Sequence, residues 1–348
     1  MSLPPSEIPQ GAIRFNTDSQ RLEFYAEGEW WVLSTDTPNL GTSADSTPGA
    51  RGLFGGGRDS GGGLEDTIDY INIASTGDAI DFGNLTVARR RVSSCASSTR
   101  GVWGGGYSPD KDTIDFVTIA STGNATDFGN LSVTRRTPGS TSNATRGIWA
   151  SGTQGAGSGT LQDVIDYVTI AATGNAVDFG NLTVARDGAG GCGNSVRGLF
   201  AGAYITPGRS NIIDFITITT LGNATDFGDL TVNRSQTPGA SSPIRGVWAG
   251  GYTSPGSPGA VDTIDYVQIM STGNATDFGD LSTAFGPFSG GISNCIRAVF
   301  GGGYIASPGR TNRIEYVNIS TQGNSVDFGD RTVSDAAGGA CSNAHGGL

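Results

Sequence analysis

The sequence predicts an all-β protein: six four-stranded sheets arranged as the blades of a closed β-propeller, with a small three-stranded module ahead of them. Three observations carry this. A block of about 50 residues recurs six times, each copy reads as short strands bounded by turns, and the C-terminal residues supply the one strand that the first copy lacks. Composition agrees. Glycine fills 57 of 348 positions, more than twice the roughly 7 % usual share, and only 15 % of residues are charged, a poor match to a helical enzyme.

Each copy opens with an arginine-led run, Arg51-Gly-Leu-Phe-Gly-Gly-Gly in the first, with equivalents at Arg100, Arg146, Arg197, Arg245 and Arg297. An Ile-Asp-Tyr-like run follows, carrying Asp69, Asp115, Asp166, Asp214, Asp265 and Glu315. An Asp-Phe-Gly block closes the copy at Asp81, Asp127, Asp178, Asp226, Asp277 and Asp327. These runs are strands b, c and d, rich in β-branched and aromatic residues. Strand a is the small-residue stretch before each arginine, such as Val92 to Ala96, suited to a crowded innermost position. Glycines in strand b let neighbouring blades approach closely. The first copy starts at strand b, and residues Asp335 to Gly347 match strand a and its turn. The last strand therefore closes the ring and leaves no free sheet edge. His345, the sole histidine, falls where other copies carry arginine and reads as a turn residue.

Residues 1–34 lie outside the repeat, and residues 35–50 form a Pro/Gly/Ser/Thr linker. Ile13, Phe15, Leu22, Phe24, Tyr25, Trp30 and Trp31 mark out a three-stranded meander. Three short strands cannot bury a core alone, so this module needs the propeller, a second copy of the chain or another protein to pack on.

Charge and motifs remove several function classes. The net charge of −11 argues against a nucleic-acid partner. No apolar run approaches the ~20 residues of a membrane span, and the N-terminus lacks the basic and apolar regions of a signal peptide. Cys95, Cys192, Cys295 and Cys341 include no C-x-x-C pair and read as small buried thiols. Asp-Phe-Gly repeated six times is a strand signature, and Gly152 to Gly157 lack the strand–helix frame of a phosphate loop. The sequons at Asn124, Asn143, Asn223 and Asn274 are by-products of an Asn-Ala-Thr turn. Paired carboxylates recur in every copy, whereas a catalytic acid should break the sixfold pattern. No cofactor or metal is expected.

Arg51, Arg100, Arg146, Arg197, Arg245 and Arg297 are expected to pair with carboxylates such as the Asp69 or Asp81 counterparts, bracing each blade on its neighbour. The c–d turn, Ser-Thr-Gly-Asn-Ala-Thr, is nearly invariant, while the b–c connections differ most between copies. Tyr107, Lys111, Tyr204, Arg209, Tyr252, Tyr304 and Arg310 in those connections are the candidate binding residues. The tyrosines read equally well as caps on strand b.

A hydrophobic run ending in Gly-Gly, a spacer, a tyrosine-bearing strand and a later aromatic resemble the kelch type of propeller over residues 51–348. Phe82 and Phe128 stand where kelch repeats usually carry tryptophan. The pattern from Gly11 through Trp30 resembles the small β-element of tail-fibre, spike and head-decoration proteins of tailed bacteriophages. Joined to a kelch-like propeller, it resembles virion structural proteins of cyanobacterial phages. That resemblance implies a non-enzymatic protein of the virion surface, assembled as a homo-oligomer and attached to other virion proteins by its N-terminal module. Its propeller would adhere to a host-surface glycan or protein. The alternatives are a secreted or surface lectin, and a glycosidase of the sialidase type, whose Asp box matches Ser121 to Phe128 only with its Asp and Gly displaced.

Overall fold

The computed structural model describes residues 9, 11–16, 21–26, 28–32, 51–107, 109–253, 259–286, 290–305 and 309–348. The linker expected at 35–50 lies outside them. Two compact units, Met1–Thr47 and Pro48–Leu348, make up the chain. Every regular element among the described residues is a strand.

In the first unit, the alternating residues form β1 (Ile13–Asn16), β2 (Arg21–Ala26) and β3 (Glu29–Val32), an antiparallel meander. Register pairs Ile13 with Phe24, Phe15 with Leu22, Phe24 with Trp31 and Tyr25 with Trp30. Because side chains alternate along a strand, Arg14, Glu23, Tyr25 and Trp30 share one face. There Arg14 bonds Glu23 at 2.8 Å, its guanidinium lies 4.1 Å from the Trp30 ring, and Tyr25 meets Trp30 edge-on. On the other face Ile13 is 64 % exposed.

In the second unit, copy 1 contributes β4 (Arg51–Asp59), β5 (Leu64–Asn72) and β6 (Ile80–Asn84). Copy 2 is β7 (Ser93–Ala96), β8 (Arg100–Gly104), β9 (Thr113–Thr118) and β10 (Thr126–Asn130). Copy 3 is β11 (Gly139–Ser142), β12 (Arg146–Ala150), the short β13 (Thr153–Gln154), β14 (Thr160–Thr169) and β15 (Val177–Arg186). Copy 4 is β16 (Gly190–Gly193), β17 (Arg197–Ile205), β18 (Gly208–Thr217) and β19 (Thr225–Asp229). Copy 5 is β20 (Gly239–Ser241), β21 (Arg245–Ala249), β22 (Val261–Gln268) and β23 (Thr276–Phe285). Copy 6 is β24 (Gly291–Ser293), β25 (Arg297–Tyr304), β26 (Arg310–Asn318) and β27 (Val326–Ala336), and β28 (Gly339–Ser342) follows it.

Copies 2 to 6 pair antiparallel in the order a-b-c-d, with β13 added beside β14. β28 pairs with β4, setting Cys341 opposite Leu53, and so fills position a of copy 1. β27 also pairs with β4 through Asp335↔Asp59 and Ala336↔Arg58, which joins copies 6 and 1 into one eight-stranded sheet.

The core lies between copies, because strand b buries both of its faces and is therefore apolar almost throughout. Leu53 packs with Trp103 and Val117 of copy 2, while Phe54, its neighbour in sequence, packs with Val299 and Phe328 of copy 6. Among the described residues six such clusters occur, each built from two copies. The buried tryptophans also reach across: Trp103, Trp149 and Trp248 donate their indole N–H to Gly339, Ser93 and Gly190 carbonyls in the preceding copy. A Cβ at Gly55 would stand 2.8 Å from the Trp103 ring, so the strand-b glycine makes room for that indole.

Candidate functional site

Three contacts repeat from copy to copy, and together they account for most of the residues that recur in sequence. The first is made by the c–d turn. Asn124 Oδ1 accepts the Asn84 backbone N–H of the preceding copy at 3.1 Å. Gly83 has φ +147°, and a Cβ there would lie 2.4 Å from the Gly123 carbonyl oxygen. That approach, repeated at Gly129, Gly180, Gly228, Gly279 and Gly329, accounts for the glycines of both Asp-Phe-Gly and the nearly invariant turn.

The second contact is a buried ion pair. Arg89, Arg135, Arg186 and Arg234 pair with Asp115, Asp166, Asp214 and Asp265 of the following copy, with both side chains of each pair fully buried. Asp166 also accepts from the Ser132 hydroxyl and backbone N–H. Burial pushes the Arg135 guanidinium below its ordinary range, and Asp166 acts against that shift; arginine nevertheless stays protonated. Two junctions are wired differently. Between copies 5 and 6 the arginine position holds Phe285, and Glu315 pairs with the half-exposed Arg313. Between copies 6 and 1, Arg331 bridges Asp69 and Asp335.

The third contact corrects an expectation. Arg51, Arg100, Arg146, Arg197, Arg245 and Arg297 do brace neighbouring copies, but the partners the structure gives them are backbone carbonyls. Their Nη1 atoms donate to Ile119, Ile170, Ile218, Ile269, Ile319 and Ile73 oxygens at 2.7–3.1 Å. Each guanidinium lies 4.5–5.0 Å from the strand-c ring of its own copy, and that ring meets the strand-d phenylalanine edge-on. The reason is strand parity. Arg51 lies opposite Asn72 and Leu53 opposite Tyr70, so Arg51 and Tyr70 share a face and Asp69 turns to the other.

A cavity of about 250 Å³ is lined by small residues of β7, β11, β16, β20, β24 and β28, the strands at position a. The strands approach closely there. A Cβ at Gly191 would stand 2.0 Å from the Ser140 oxygen, and Ser142, Ser241, Ser293 and Ser342 donate their hydroxyls to carbonyls of the adjacent copy. At one end the d–a connections form a chain of backbone bonds: Arg91 N–H donates to Ala337, Thr137 to Arg91, Gly188 to Thr137 and Gln236 to Gly188. All five residues except Gly188 are non-glycine, and Arg91, Thr137, Gln236 and Ala337 hold φ of 56–65°.

The opposite end is tied by residues 344–347. Gly347 N–H donates to His345 Nδ1, which leaves the proton on Nε2 to bond the Ala96 carbonyl at 2.9 Å. Gly346 bonds Ser241 and Cys295 Sγ bonds Ala344. His345 is thus more than a turn residue: burial lowers its pKa and holds it neutral, the Ala96 bond opposing. Cys95, Cys192 and Cys341 are buried free thiols, as expected, and Cys295 is partly buried. Burial pushes Cys341 up to about 12.

Of the candidate binding residues, Tyr252, Tyr304 and Arg310 line this cavity, together with Arg58, Arg90 and Arg91, which sequence reading passed over. Burial and Tyr304 push Tyr252 up to about 12. Tyr107, Lys111, Tyr204 and Arg209 stand apart from it. The Tyr107 ring lies 5.2 Å from both the Arg90 and the Arg136 guanidinium, and Arg209 packs over Tyr204. Backbone bridges link Tyr107, Tyr204 and Tyr252 to Arg90, Asp187 and Ser235 of the preceding connection. These bridges fit the capping role expected of Tyr107, Tyr204 and Tyr252, and of the three Tyr252 also lines the cavity. Among the described residues no cluster of His, Cys, Asp or Glu has the make-up to hold a metal ion. No family model matches this chain, and no curated protein matches it.

Proposed function

We propose that the six copies close into a six-bladed, kelch-like propeller that serves as a non-enzymatic adhesion protein on a virion surface, in a tail fibre, a spike or a capsid decoration. Its N-terminal meander attaches it to other virion proteins or to further copies of the chain. Closure is supported by contacts that run from copy 6 to copy 1 as they run from copy 1 to copy 2. The Gly329–Gly77 approach, the Arg297 bond to Ile73, the Arg331–Asp69 pair and the β28–β4 pairing are all of this kind.

One observation carries the adhesion reading: the c–d turns differ little between copies, each keeping the glycine that clasps the neighbour, whereas the b–c connections vary in length and side chain. Variable loops on a repeated frame are where recognition concentrates. The buried aspartates Asp69, Asp115, Asp166, Asp214 and Asp265 are engaged in the frame, each holding a cation and a hydroxyl of the adjoining copy, which favours a scaffold over a hydrolase. Electron microscopy of intact particles tests the location, and host-cell adsorption with b–c connections exchanged between copies tests the activity. Unchanged adsorption after exchange would remove the adhesion role. Cleavage of sialosides by the purified chain would replace it with the glycosidase reading.

A further inference from the structure

We infer that the open end of the central cavity binds a saccharide through an anionic substituent, a carboxylate or a sulfate, held by Arg58, Arg90, Arg91 and Arg310 beside Tyr252 and Tyr304. The inference rests on the adhesion reading and names its ligand class.

The cluster breaks the sixfold pattern. Arg58 stands where copies 2, 4, 5 and 6 carry Tyr107, Tyr204, Tyr252 and Tyr304, and the Arg90–Arg91 pair corresponds to Arg136–Thr137, Asp187–Gly188 and Ser235–Gln236 in copies 2 to 4. Four arginines thus converge on one cavity mouth in a chain of net charge −11. Among the described residues none of the four forms an ion pair with a carboxylate. Arg58 Nε bonds the Gly62 carbonyl, Arg90 lies against Tyr107, and Arg310 Nε is buried with no partner. Burial, with Arg91, Arg58 and Arg310 as like charges, pushes the Arg90 guanidinium down. An anion at this point would relieve that crowding and accept charge-assisted bonds.

The remaining wall fits a sugar. Tyr252 and Tyr304 offer amphipathic ring surfaces, and the floor is made of small residues and backbone. At about 250 Å³ the cavity lies just below the ~300–1,000 Å³ of drug-sized sites, so it takes one ring or one substituent and leaves the rest of a glycan outside. Residues 344–347 tie its far end, so a ligand enters from the side of the b–c connections.

Calorimetric titration of the full chain with hexuronic-acid, sulfated and neutral oligosaccharides tests this, using R58Q/R90Q/R310Q and the single variant R310Q. One anionic class should bind, at least about tenfold more weakly to the triple variant, with affinity falling as salt rises, and neutral sugars should not bind. The difference between the hexuronic-acid and sulfated arms identifies the substituent. R310Q leaves every hydrogen bond described for the frame in place, so it keeps the test valid if the triple variant fails to fold. Equal affinity of wild type and R310Q for the anionic sugar, or no binding by any anionic sugar, overturns the inference. Should loop exchange abolish adsorption while R310Q leaves it intact, adhesion stands and the anionic site falls; if neither change alters adsorption, the adhesion reading itself fails.

Discussion

The junction between copies 2 and 3 and the junction between copies 6 and 1 perform the same task with different residues. In the first, Arg135 at the end of strand d faces Asp166 on the next strand c, and Ser132 completes the carboxylate's shell. In the second, the arginine position holds Asp335, and the cation has moved four residues back to Arg331, where other copies carry leucine. Thr332 takes the hydroxyl role toward Asp69. What the frame requires is a positive charge against the strand-c carboxylate, not an arginine at a fixed position. The rewired junction holds two carboxylates on one guanidinium and is the more vulnerable.

That asymmetry orders the expected effects. Arg331→Leu should be the most damaging, because it takes the cation away from both Asp69 and Asp335; the loss should reach or exceed the upper end of the ~3–5 kcal/mol seen for a broken buried pair. Arg135→Leu strands Asp166 alone and should fall within that range. Denaturant titration of both variants makes the comparison, and an equal loss would mean that Asp335 contributes nothing to the junction. Arg146→Ala is expected to cost about 1–2 kcal/mol, since it removes one charged bond to the Ile218 carbonyl and the stacking on Tyr167 at a partly exposed rim. A loss as large as that of Arg135→Leu would put the rim arginine on a par with the buried pair.

The smallest effect concerns pH. His345 is held neutral by burial, with its pKa below 6.5. Below pH 6.5 the unfolded chain takes up a proton that the folded chain refuses, so this contribution is intact above that value and is lost as the pH falls. The loss is at most about 1.4 kcal/mol per pH unit. The difference in stability between wild type and His345→Gln should therefore be constant above pH 6.5 and shift against the wild type below it; a flat difference throughout would show that His345 is protonated in place.

Strand order within a copy was legible because each strand carries its own signature: the arginine-led apolar run, Ile-Asp-Tyr and Asp-Phe-Gly. The N-terminal meander was legible for the same reason. The roles of repeated polar residues were harder to read, since recurrence says that a contact exists but not with what. Arg51 and Asp69 recur together yet lie on opposite faces of their sheet, and only pairing register separates them. The true partner of the aspartates was present in the sequence as an arginine four residues after the strand-d leucine in copies 1 to 4. Its change to Phe285 alongside Glu315, and to Asp335 alongside Arg331, marks the pairing. The cavity left no local trace, because its walls come from six stretches each about 50 residues apart.

A copy buries its apolar faces only against its neighbours, and β28 joins β4 without a covalent link. The polypeptide can therefore be re-cut: a circular permutant opened at the Ser97–Thr99 turn, with its old ends tethered, would keep every sheet it has now. An isolated copy, by contrast, would present two raw hydrophobic surfaces to water and be insoluble.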